Sequence, residues 1–250
     1  MTEPIKVAVA GYRGKVGSVL VPGLQSEPDF EYVGGIGRGD DLAAFLHANR
    51  PRAFVDFTRP SDVLHNALAA IAAGASPVIG TTGLTAENVD KIETACKEKG
   101  VGGIVAPNFA VGAVLMMHLA ELAAPFFDAA EVIEMHHSAK LDAPSGTALA
   151  TAKRLAARRG SKPFSHKKAD KETLPGTRGG EEGHIAIHSV RMPGLVADQE
   201  VMFGLPGQTL TITHRTTSRE AYVPGVLLAI RKVTAEHRFY RALDELLGLR

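Results

Sequence analysis

Between residues 5 and 107 of this 250-residue chain, short runs rich in Val, Ile and Ala alternate with stretches of helical periodicity. IKVAVAG (5–11) leads into KVGSVLVPGLQS, FEYVGGIG (30–37) into DDLAAFLHAN, AFVDFT (53–58) into PSDVLHNALAAIAAG, and SPVIGTTG (76–83) into TAENVDKIETACKEKG, before a fifth run, VGGIVAP. Strands that are apolar without clean alternation need cover on both faces, and strands joined through helices run parallel. The pattern predicts a doubly wound, Rossmann-like parallel sheet. Gly74, Gly100 and Gly160 each follow a helical run, where a residue without Cβ can take the left-handed C-cap.

After Ala130 the texture changes to AEVIEMHH, one helix through SGTALATAKRLAARRG, a basic and Gly-rich loop SHKKADKETLPGTRGG, and the β-like runs HIAIHSVRM, EVMFGLPG and TLTITHRT. One helix with several long strands, read as antiparallel, predicts an α+β domain for substrate or assembly. The final helical run, EAYVPGVLLAIRKV, is expected to return to the first sheet.

The first run carries a chemical motif, VAVAGYRGKVG, with Gly11, Gly14 and Gly17 closing a strand and opening a helix. A turn this tight needs residues without a Cβ so that backbone N–H groups and a helix N-terminus can approach a pyrophosphate. Tyr12, Arg13, Lys15 and Val16 fill the turn, and Arg13 and Lys15 add charge. The spacing is G-x-x-G-x-x-G and not the strict G-x-G-x-x-G, so its weight comes from its place on the first strand of an alternating pattern. Gly80, Thr81 and Thr82, with Ala106, Pro107, Asn108 and Phe109, end two further strands at the same expected edge. Together these loops predict a nicotinamide cofactor. The acidic residue expected to hold the ribose at the end of the second strand is replaced by Gly37, followed by Arg38. Arg38 can clamp a 2′-phosphate, which favours NADPH slightly over NADH, or Asp40 or Asp41 can hold the sugar instead.

The second motif is HHSAKLDAPSGTA, residues 136–148. A helix starting near Ser145 would aim the N–H groups of Gly146 and Thr147, with the Ser and Thr hydroxyls, at an anion such as a carboxylate. Lys140 adds a full positive charge or a proton, and an imidazole is the natural proton donor near neutral pH. His136 and His137 point to opposite faces if the strand stays regular, so at most one of them faces the site. Metal binding finds no support: His184 and His188 share a strand face in this reading, yet no HExxH, cysteine pair or nearby carboxylate completes a set.

Charge and cysteine usage narrow the class further. With 28 basic against 27 acidic residues, nothing calls for nucleic acid or an anionic membrane. The lone Cys96 cannot form an internal disulfide. The N-terminus shows no signal-type pattern, and no segment approaches the ~20 apolar residues of a membrane span. These features predict a soluble protein of the reducing cytoplasm.

Taken together, EMHHSAKLDAPSGTA, AGYRGKVG, VDFT, GTTG, APNF, SVRMPGLVADQEVMFG and THRTTSRE closely resemble the dihydrodipicolinate (4-hydroxy-tetrahydrodipicolinate) reductases of bacterial lysine and diaminopimelate biosynthesis, over nearly the whole chain. The resemblance implies a dinucleotide domain of residues 1–109 and 219–250, a mixed-sheet domain of residues 110–218 that binds a small dicarboxylate substrate, and a homotetramer. It implies that His136 is the proton donor and Lys140 the second catalytic group, with His137, Lys140, Ser145, Gly146 and Thr147 at the substrate. It places Gly11 to Gly17, Gly80 to Thr82, Ala106 to Phe109 and Arg219 at the nucleotide. At Gly37 the chain departs from the Asp or Glu of many members, which leaves both NADPH and NADH usable. Another small-substrate dehydrogenase of the same build, or a non-catalytic nucleotide sensor, are the competing readings.

Overall fold

The computed structural model describes residues 3–167 and 170–249; Lys168 and Ala169 of the basic loop lie outside the described residues, as do Met1, Thr2 and Arg250. The chain forms two compact units, one running to Val111 and resuming at Arg219, the other spanning Gly112–Ser218.

The first unit is built from β1 (Ile5–Ala10), α1 (Gly17–Gln25), β2 (Phe30–Ile36), α2 (Leu42–Asn49), β3 (Ala53–Asp56), α3 (Val63–Ala72), β4 (Ser76–Ile79), α4 (Ala86–Lys99) and β5 (Gly103–Val105). Its sheet is wholly parallel and ends in a sixth strand from the returning segment, β11 (Phe239–Tyr240), in the order β11-β5-β4-β3-β1-β2. The order reverses at β1, so β1 and β3 flank the crevice where doubly wound sheets take their ligands. β3 and β4 are buried throughout and β1 from Val7 on, as both-face cover requires: Val7 to Ala10, Ala53 to Val55 and Val78 to Ile79 are 0% exposed. Gly100 takes the left-handed C-cap of α4, and Gly74, just past α3, has φ +88°. Gly160 has positive φ but ψ −122°, a sharper reversal than the left-handed cap.

In the second unit, α5 (Val111–Ala123) leads to β6 (Ala129–His136), α6 (Gly146–Arg159), β7 (Gly180–Glu182), β8 (Ile185–Arg191), β9 (Ala197–Leu205) and β10 (Gln208–His214). Strand order is β10-β9-β6-β8-β7. The expectation of antiparallel strands needs one correction: β6 and β8 run parallel, because α6 carries the chain back before β8 begins. Ala148, Thr151, Ala152 and Leu155 recur at helical spacing and press α6 onto Ala130, Val132, Ile185, Val201 and Phe203 of one sheet face. His184 precedes β8 with φ +63°, so it does not share a strand face with His188.

The returning segment then adds α7 (Val223–Glu236), β11 (Phe239–Tyr240) and α8 (Leu243–Leu246) to the first unit. Val226, Ile230 and Val233 of α7 are fully buried. Gly225 lets this helix lie so close to the 106–109 loop that an added Cβ would sit 2.0 Å from the Phe109 carbonyl oxygen.

Candidate active site

At the carboxyl end of β1 the backbone turns within hydrogen-bonding distance of itself. The Gly11 N–H reaches the Ile36 carbonyl (2.9 Å), and the Gly14 N–H reaches the Gly11 carbonyl (2.8 Å). Gly11 adopts φ +74°, and a Cβ on Gly17 would lie 2.3 Å from Gly11 O and 2.6 Å from Tyr12 Cα, so these positions admit nothing larger. Val16, the N-cap of α1, offers no side-chain cap, and no acid occupies the first turn. An uncapped helix start behind a glycine turn fits the pyrophosphate of a dinucleotide. Arg13 and Lys15 are exposed beside it, and the Arg13 guanidinium lies 4.9 Å from the Tyr12 ring centroid.

Beyond β2, the N–H of Gly37 donates to Asp40 Oδ2 (2.7 Å), while Asp41 caps α2 through the Ala44 N–H. Asp41 thus gives one carboxylate oxygen to its helix, and Asp40 folds a carboxylate back beside the position from which the expected acid is missing. Arg38 is exposed on the same loop.

One organising residue of this edge escaped the sequence reading. Asp56, at the end of β3, is fully buried and accepts from Thr58 N (2.8 Å), Thr58 Oγ1 (2.6 Å), Asn66 Nδ2 (2.9 Å) and Thr81 Oγ1 (3.1 Å). It ties the loop after β3 to α3 and to the Gly80 to Thr82 loop. Its signal was present, a charge inside the apolar run AFVDFT, where burial demands multiple donors. Gly80 lies against Phe57, whose ring a Cβ would meet at 2.1 Å. Phe109 is 1% exposed and packs on Phe57 with centroids 5.7 Å apart, so its side chain supports the loop from below; Pro107 and Thr82 are exposed. Arg219 opens a short 3-10 turn where the chain returns to this unit. A groove of about 710 Å3 between α1 and α7, lined by Val19, Gly23, Val223 and Leu227, involves none of these strand-end loops.

In the second unit, residues 134–148 form a connected polar cluster on the α6-covered face. Glu134 and His136 share that face two residues apart, and the parallel register sets Ser189 and Arg191 beside them. Glu134 is 0% exposed. It accepts a fork from Arg191 (Nη1 to Oε2, 2.8 Å; Nη2 to Oε1, 2.7 Å), the Ser145 N–H on Oε1 (3.1 Å) and His136 Nδ1 at 2.5 Å from Oε2. Burial pushes this carboxyl up, but hydrogen bonds from Arg191, Ser189 and His136 outweigh it and hold Glu134 below the usual carboxylate range. Removing Arg191 alone would strand a buried charge, a loss on the order of 3–5 kcal/mol. His136 is held below its ordinary value, chiefly by burial, with the Glu134 contact opposing and Lys140 and Arg191 adding to the fall.

Ser145 is the N-cap of α6; its Oγ accepts from Ala148 N (3.1 Å), and the residue is 3% exposed, so its hydroxyl serves the helix. The first-turn N–H groups of Gly146 and Thr147 have no intrahelical acceptor, and Gly146 is exposed. Lys140 Nζ pairs with both oxygens of Asp142 (2.7 and 2.9 Å) in the loop between. His137 lies just past the strand and accepts the Lys140 N–H on its carbonyl (3.1 Å). Glu134 and Arg191 are the residues the sequence reading missed here. An imidazole able to carry a proton, a lysine and two backbone donors without intrahelical acceptors suit an anionic, proton-accepting substrate.

The chain matches the family described as "Dihydrodipicolinate reductase, N-terminus" over residues 5–109 and "Dihydrodipicolinate reductase, C-terminus" over residues 112–247. It is 45% identical over 267 residues to the 4-hydroxy-tetrahydrodipicolinate reductase of Moorella thermoacetica, with 99% of each chain covered. Identity is also 45% over 243 residues to the 4-hydroxy-tetrahydrodipicolinate reductase of Coxiella burnetii, covering 97% of this chain and 99% of that one. Among solved structures, a dipicolinate-bound dihydrodipicolinate reductase from Paenisporosarcina is similar at a TM-score of 0.89 and 37% identity, covering 97% of this chain and 99% of that chain.

Proposed function

The chain belongs to the dihydrodipicolinate reductase family, and from that premise we propose that it reduces 4-hydroxy-tetrahydrodipicolinate with NADPH or NADH, using His136 and Lys140. The enzyme is an NAD(P)H-dependent oxidoreductase. The nicotinamide, when bound, supplies a hydride to the conjugated carbon of the cyclic imine left when the hydroxy precursor loses water. The glycine turn of Gly11 to Gly17, the Gly80 to Thr82 loop and the Ala106 to Phe109 loop hold the nucleotide, with Arg219 within reach of it.

The substrate side follows from the cluster around β6. Two carboxylates need anchors, and the N–H groups of Gly146 and Thr147, His137 and the Lys140 ammonium supply them. Lys140 reaches a substrate by exchanging its pair with Asp142, a carboxylate that is 62% exposed and therefore costs little to release. His136 donates the proton that balances the hydride. The observation that carries the reading is the meeting of this imidazole, Lys140 and an open helix turn within 12 residues of chain. Arg13, Lys15 and Arg38 favour a 2′-phosphate while Asp40 does not, which makes a slight NADPH preference the expected balance.

The test follows NADPH and NADH absorbance with enzymatically generated 4-hydroxy-tetrahydrodipicolinate. Oxidation of either nucleotide that depends on substrate supports the proposal. Stable absorbance with both refutes it.

A further inference from the structure

Glu134 and Arg191 do more than the folding of β6 and β8 requires. A fully buried carboxylate beside a proton-donating imidazole could make that imidazole permanently cationic, and so a poor acid. Here the carboxylate is already balanced by the Arg191 fork, and it accepts the Ser145 N–H as well. What remains for His136 is one hydrogen bond from Nδ1 at 2.5 Å, and Nε2 is the nitrogen left unclaimed. Arg191 also donates from Nη2 to the Asp142 carbonyl (2.7 Å), inside the loop that carries Lys140.

We propose that Glu134, clamped by Arg191, is a positioning residue for His136 that fixes its proton on Nδ1 and sets its acidity, while the same arginine anchors the loop of Lys140. This rests on the reading of His136 as proton donor. The charged groups facing the imidazole are Glu134 on β6, Arg191 on β8, and Lys140 with its partner Asp142 on the loop. β9 places Ala197 opposite His136, and the first turn of α6 carries no acid.

The sign of the pH effect is fixed by this arrangement. Proton donation needs the imidazolium, so activity falls as pH rises through the His136 pKa. Glu134 favours the imidazolium and Arg191 opposes it. Glu134→Gln therefore moves the alkaline inflection of kcat/KM to lower pH, by about one unit or more, and lowers kcat/KM above the inflection about 10-fold per unit of that shift. Arg191→Gln moves the inflection the other way, and its freed loop raises the substrate KM. Neither change alters NADPH affinity.

The experiment combines pH profiles of the whole enzyme with 15N-histidine NMR, assigning His136 by its loss in His136→Gln. In the wild type above the inflection, the expected signature is a neutral ring with the proton on Nδ1. Opposite inflection shifts in the two variants support the proposal. A proton on Nε2 in the wild type, or inflections that stay put in both variants, overturns it. Should either substitution prevent folding, the wild-type tautomer alone decides. Retained turnover in His136→Gln refutes the proton-donor reading itself, which is a separate outcome from any tautomer result.

Discussion

At the scale of single residues, the two ends of the reaction make different demands. His136→Gln and Lys140→Ala should each lower kcat by ~10²–10⁴-fold with nucleotide binding intact, since one positioned acid contributes that much and both residues lie in the unit that does not carry the glycine turn. Steady-state kinetics with a fluorescence titration of NADPH checks this; near-normal turnover removes the residue from the mechanism. Cofactor choice turns on Gly37. Asp40 Oδ2 lies 3.5 Å from where a Cβ at residue 37 would sit, and the backbone there is not left-handed, so an aspartate fits but brings a second carboxylate beside the first. Gly37→Asp should therefore shift kcat/KM toward NADH. Arg38→Ala should weaken NADPH use by about 10-fold or less, because an exposed arginine gives only part of the ~1.5–3 kcal/mol of a charge-assisted bond. Unchanged NADPH kinetics in Arg38→Ala would exclude that arginine as the phosphate clamp.

At the scale of elements, the glycine turn is a packing constraint before it is a binding motif. Gly17→Ala drives a methyl group to 2.3 Å from Gly11 O, so β1 and α1 must move apart. The expected result is nucleotide affinity reduced at least 10-fold while the second unit's substrate groups are untouched; calorimetric titration with NADPH measures it, and wild-type affinity would show the turn to be pliant. Strand-helix alternation was readable because buried parallel strands and their crossover helices leave strong periodic signals, and the returning helix was readable from its apolar spacing. α5 was not, because its composition hides any period: Ala113, Val114, Met116, Met117 and Ala120 are buried while Leu115, Leu119 and Leu122 stay exposed. β11 is only two residues long and exists through its register with Gly103 and Ile104, which no local pattern encodes. In the site, the glycines and the His-His, Lys and Ser-Gly-Thr run stand out from spacing, because short-range turns and a helix start announce themselves, whereas the choice of His136 over His137 rests on the family resemblance alone. Glu134 and Arg191 do not stand out, because they meet across 57 residues of sequence through the parallel register of β6 and β8. Ser145 Oγ accepts the Ala148 N–H as the cap of α6, which leaves its hydroxyl proton to donate.

At the scale of the whole molecule, the sheet of the second unit leaves an incomplete core. α6 covers one face, whereas Ile133 and Met135 of β6, Val190 of β8 and Met202 of β9 share the other face with Glu131, His188 and Glu200 and are only half-buried. At the edge, β10 runs seven residues, and Gln208 to Thr211 are exposed. A long open edge beside half-buried apolar side chains is a surface that isolated chains avoid, since both invite association. Closed symmetric assembly would resolve it by letting each copy cover its neighbour. The family resemblance implies four copies, and the expected outcome in multi-angle light scattering is four chain masses at working concentration. Met202→Glu adds a further charge to this face, directly opposite Glu131 of β6, without touching the α6 side. A new carboxylate opposite an existing one repels within the strand pair and desolvates on association, so this variant should dissociate the assembly while leaving nucleotide affinity of the first unit unchanged. A wild type that elutes as a monomer, or a Met202→Glu protein that keeps the wild-type mass, would show that this face is not where copies meet.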